Sequence, residues 1–78
     1  MLTVDEVFSA VAAALEVNEV SIEDSDQTIE QWDSLGQLAI QTALSKLSGG
    51  RSDELEDLAF SFSLFSILET LRSGGLIE

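Results

Sequence analysis

Trp32-Asp33-Ser34-Leu35-Gly36 marks the change of character in this chain. Ahead of it lies a polar, acidic stretch with little periodicity. Behind it apolar residues recur at helical spacing, so Leu35, Leu38, Ala39, Thr42 and Ala43 are expected on one face of a helix. Asp33 is expected to be the N-cap, its carboxylate accepting from free backbone N–H groups at the positive helix end. Ser34 then takes the first helical position with its hydroxyl outward. A phosphate esterified to that oxygen would lie against amides that favour an anion.

From Ser34 the helix is expected to run to about Ser48 and to stop at Gly49-Gly50, with Lys46 in its last turn, where a cation is favourable. Gly36 costs up to about 1 kcal/mol relative to Ala. A bare position there would let a partner approach Ser34 closely. Trp32 has no apolar staple mate, because the fourth helical residue is Gln37, so it is expected to pack on the loop or the core.

Upstream, Thr3 and Glu6 form a capping box for a helix over roughly 4–16 with Val4, Val7, Phe8, Val11, Ala12 and Leu15 inward. Val17 to Trp32 is a long acidic connection, expected to be pinned by Val20, Ile22 and Ile29. Asp24-Ser25-Asp26 fails as a calcium loop, since Ile29 and Leu35 stand where the glycine and the bidentate Glu belong. Downstream, Asp53 and Glu56 suggest a capping box for a short third helix covering Leu55 and Leu58. The alternation from Phe60 to Leu64 resembles a strand, but a lone strand would leave its backbone unpaired. Ser63 is expected to cap a last helix with Leu64, Ile67, Leu68 and Leu71 inward, ending at Ser73-Gly74-Gly75. Leu76 and Ile77 are expected to fold back onto the bundle.

Residues 1–78 read as a single all-α domain. The apolar fraction of 45% is too high for a disordered acidic tail. With no Cys and no His, thiolate and histidine metal sites and Ser–His or Cys–His catalysis are excluded by inventory. Fifteen acids against Lys46, Arg51 and Arg72 leave a net charge of −12, which disfavours nucleic acid and favours partners with basic surfaces. The N-terminus lacks the pattern of a signal peptide and no segment approaches a membrane span, so a cytoplasmic location is expected.

Asp33-Ser34-Leu35 opening a helix, with Trp32 before and Leu38 after, resembles the attachment motif of acyl carrier proteins. The order of elements (helix, long acidic loop, helix opened by Asp-Ser-Leu, short helix, final helix) resembles that family over nearly the whole chain. The resemblance implies a small four-helix bundle, three longer helices plus one short one, with a long loop between the first two. It implies a non-enzymatic, monomeric carrier. Ser34 would hold 4′-phosphopantetheine, delivered from coenzyme A by a phosphopantetheinyl transferase, with Asp33, Leu35 and Gly36 around the attachment point. Acyl groups would ride as thioesters to acyl-transferring or acyl-modifying enzymes of lipid or polyketide biosynthesis. Partner contacts are expected at Trp32, Leu38, Glu30 and Glu54.

The chain departs from the family where fatty-acid carriers place acids along the second helix. Here that helix has none after Asp33, and the charge lies in the loop and in Asp53, Glu54, Glu56 and Asp57. This suggests a specialised carrier with dedicated enzymes, docking partly through apolar contacts. Phe8, Phe60, Phe62 and Phe65 are candidates to fill the bundle interior, which would suit short or polar cargo. A peptidyl, aryl or D-alanyl carrier is the near alternative, although Glu30-Gln31-Trp32-Asp33 lacks the Gly-Gly run usual ahead of the serine in peptidyl and aryl carriers. From another class, the chain could be an acidic helical adaptor without a cofactor.

Overall fold

A computed structural model describes residues 1–77. Three α-helices make the frame: α1 (Val4–Leu15), α2 (Ser34–Leu47) and α3 (Leu64–Ser73). No strand occurs among the described residues. Two isolated bridges, Leu2 with Ile77 and Ser25 with Ser63, tie the chain ends together and the first loop to the start of α3.

Each helix begins and ends for reasons visible in its flanks. Thr3 and Glu6 form the full capping box of α1, and Ser63 accepts from the Ser66 amide at the start of α3. All three helices close on a Schellman pattern. At α1 the Val17 amide reaches the Ala12 carbonyl, with Glu16 left-handed at φ 59°. At α2 the Gly50 amide reaches Ser45, with Gly49 at φ 65°. At α3 the Leu76 amide reaches Leu71, with Gly75 at φ 75°.

α1 and α2 run antiparallel. Leu15, ending α1, lies against Gly36, opening α2, and at the other end Asp5, Glu6, Ser9 and Ala10 share a cleft with Leu47. Val7, Val11, Ala12 and Leu15 of α1 meet Ile40 and Leu44 of α2 and Leu64, Ile67, Leu68 and Leu71 of α3 in one core. The tail closes it as expected. Leu76 and Ile77 are buried, and the Leu2 amide donates to the Leu76 carbonyl at 2.8 Å.

Several expectations are corrected. The short third helix is instead two 3₁₀ turns, Arg51–Glu54 and Glu56–Phe60, without a side-chain cap, so Asp53 and Glu56 form no box. The reason is the period. Ser52, Leu55, Leu58 and Ser61 recur every third residue and all face inward, which suits a helix with three residues per turn better than an α-helix. The inward face of α2 is Gly36, Gln37, Ile40 and Leu44, not the one read from Leu35, Leu38 and Thr42, which are exposed. Val4 is exposed rather than inward, and Ile22 does not pin the loop, whereas Val20 is buried and Ile29 half-buried. Phe60, Phe62 and Phe65 stand in solvent, and of the four phenylalanines only Phe8 packs against the core.

Candidate functional site

Ser34 is exposed at the first position of α2. Asp33 caps the helix from extended backbone, its Oδ1 accepting from the Gly36 amide at 2.9 Å, while its carbonyl accepts from the Gln37 amide at 2.8 Å. That leaves the first-turn amides of Ser34 and Leu35 without an acceptor among the described residues, a polarity that suits an anion there.

The helix start is held from behind by two residues. Gly36 is buried. A Cβ there would collide with the Gln31 carbonyl oxygen and lie 2.9 Å from Leu15 Cδ2. The missing side chain therefore serves the contact between the loop and α1, and it is not a bare surface offered to a partner as expected. Gln37 is the second. Its side-chain oxygen accepts from Trp32 Nε1 at 2.6 Å, and its Nε2 donates to the carbonyls of Leu58 and Ser61, both at 3.1 Å. Trp32 and Gln37 thus replace the apolar staple by a buried hydrogen bond across the capping residue. Ser61 Oγ adds bonds to the Asp57 carbonyl at 3.0 Å and to Thr70 Oγ1 at 3.1 Å.

The loop before the motif is ordered by its own side chains. Asp24 accepts from the Ser21 amide and from the Thr28 hydroxyl, each at 2.9 Å. These bonds, the Ser21 amide first, hold its carboxyl below the usual range. The Asp26 amide donates to the Phe62 carbonyl and the Leu64 amide to the Asp24 carbonyl, which fastens the loop to the start of α3. No group of three or more acidic side chains converges on a metal position among the described residues.

The expected site residues separate in space. Asp33, Ser34, Leu35 and Gly36 stand together, and Asp33, Leu35 and Gly36 border a cleft of about 510 Å³ with Ala14, Leu15, Glu16, Gln31 and Ala39. Trp32 packs in the core, one of the two places expected from its missing staple mate, and is corrected as a partner contact, since it is only 3% exposed and its one donor is taken. Leu38 and Glu30 are exposed. Glu54 is exposed too, but it borders a different cleft with Glu69, Ser73 and Gly74 near the end of α3, so it is not brought to Ser34. Gln37 and the exposed phenylalanines were missed by sequence reasoning. Gln37 left one signal, a polar residue at the position where a staple wants an apolar one. No helix among the described residues is long and apolar enough to cross a membrane. Comparison with family models, with curated proteins and with solved structures finds no match to this chain.

Proposed function

We propose that the chain is a carrier that holds acyl groups on a 4′-phosphopantetheine arm esterified to Ser34, in specialised acyl biosynthesis rather than general fatty-acid supply. The observation that carries the reading is the exposed Ser34 hydroxyl at the first turn of α2, next to two uncommitted amides and behind a capping Asp33. The residues present fit a phosphodiester at that oxygen. Its charge would meet the helix N-terminus, and the nearest carboxylate is already turned to the Gly36 amide.

In loading, the Ser34 oxygen attacks the phosphorus of coenzyme A that bears the pantetheine. A P–O bond to Ser34 forms, the pyrophosphate link breaks and adenosine 3′,5′-bisphosphate leaves. The Ser34 proton goes to a base of the transferase, since the chain has no His and the adjoining Asp33 carboxylate is engaged by the Gly36 amide. The bound arm supplies a terminal thiol for acyl groups. The protein's own part is to hold Ser34 rigidly outward and to offer surfaces for docking.

The test is incubation with coenzyme A and a phosphopantetheinyl transferase, read by intact mass. The expected result is one phosphopantetheine added to the wild type and none to Ser34→Ala. Absence of any gain with several transferases would leave the cofactor-free adaptor as the better account.

A further inference from the structure

We infer that Phe60, Phe62 and Phe65 anchor a docking face beside Ser34, for a protein that presents apolar sockets within a rim of Lys and Arg. Taking that protein to be an enzyme acting at Ser34, the phosphopantetheinyl transferase first, rests on the carrier reading.

The burial pattern around Ser61 runs opposite to what folding alone favours. Phe60 is 77% exposed, Phe62 44% and Phe65 60%, while Ser61 between the first two is buried. Aromatic side chains are among the most stabilising to bury, and a buried hydroxyl needs partners. The segment is not a frayed end that happens to expose them. Gln37 bonds the carbonyls of Leu58 and Ser61, Asp26 bonds the carbonyl of Phe62, and Ser61 Oγ bonds Asp57 and Thr70. Polar bonds thus fix the segment that holds Phe60 and Phe62 in water, and Phe65 follows in the first turn of α3. Three exposed aromatic side chains within six residues of chain are the kind of apolar surface that marks an interaction site.

Its place follows from the same bonds. Gln37 joins the Phe60–Phe62 segment to the first turns of α2, and Ser34 lies three residues earlier, about 4.5 Å along the helix axis. Leu35 and Leu38 add further exposed apolar area on α2, at 75% and 59%. Charge decides the partner. Residues 16–33, which lead into Ser34, contain seven acids and no Lys or Arg. Lys46 and Arg72 lie in the last turns of α2 and α3, and Arg51 follows the end of α2. Two copies of so anionic a face repel one another, and an anionic lipid surface repels it too. A basic protein surface is attracted.

Transferase kinetics test this. Loading of the wild type is compared with that of the triple variant Phe60→Ser, Phe62→Ser, Phe65→Ser, and with Phe60→Ser alone should the triple variant fail to give a wild-type circular dichroism spectrum. Val4→Ser, an exposed apolar position at the other end of α1, is the control. The expected result is a KM raised about tenfold or more with kcat kept, an unchanged control, and a wild-type KM that rises with salt. A wild type that loads with the same KM as the folded phenylalanine variants overturns the docking face and leaves the carrier reading standing. A wild type that does not load overturns both.

Discussion

At the scale of single residues, Gln37 holds the site together more than any side chain of the motif itself. A buried primary amide can accept on its oxygen and donate twice from its nitrogen, and Gln37 uses both ends, toward Trp32 and toward two carbonyls 21 and 24 residues away. Gln37→Leu keeps the volume but leaves the Trp32 N–H and those carbonyls without it. The expected cost is about 2–3 kcal/mol in urea unfolding followed by Trp32 fluorescence. A change below about 0.5 kcal/mol would show that water or backbone shifts replace the amide. Asp33 and Ser34 were legible from residue types alone, because an N-cap is a local matter of one carboxylate and the next turn's amides. Gln37 was not, since its acceptors come from a distant segment.

Among the elements, the first loop behaves as a structured piece and not a slack connection. Asp24 organises it through Ser21 and Thr28, and these bonds favour its charged form. Because the folded carboxyl is held below its unfolded value, ionised Asp24 contributes stability above the ordinary carboxylate range. That contribution is lost as pH falls through the lowered value. Asp24→Asn is therefore expected to melt below the wild type near neutral pH, with the gap closing in acid. A gap that stays constant between about pH 7 and pH 2 would assign the effect to lost geometry instead of charge. The element between α2 and α3 shows how far local patterns reach. An Asp and a Glu three residues apart suggest a capped helix, yet the inward spacing of Ser52, Leu55 and Leu58 is three, and two 3₁₀ turns satisfy it.

For the whole molecule, charge and size act together. The principal extents are 29 × 21 × 18 Å, and the net charge is −12. At about 0.01 M salt the screening length is about 30 Å, so the carboxylates repel one another across the entire protein; at about 0.15 M it is about 8 Å, shorter than any dimension. The melting temperature is expected to rise over that interval, and a flat response in a salt titration would show that the acids are already compensated. The same charge lies unevenly, with the cation-free stretch from Glu16 to Asp33 leading into the serine and the cations at or just beyond the ends of α2 and α3. An approaching basic protein is steered to the Ser34 end.

The sequence by itself determined what depends on neighbours along the chain: the all-helical class, the caps at Thr3, Asp33 and Ser63, the glycine stops, the inward faces of α1 and α3 apart from Val4, and Ser34 as the position with a specific chemical proposal. Only the tertiary structure decided which side of α2 is inside, that Trp32 packs in the core rather than on the loop, that Gly36 makes room for Gln31 and Leu15, and that three phenylalanines stay in water. The physical reason is one of range. Capping and periodicity act within a turn or two, so residue types report them directly. Burial depends on which distant carbonyl needs a donor and which helix occupies the space, and at Gln37 and Ser61 those needs outweigh the ordinary preference for apolar residues inside.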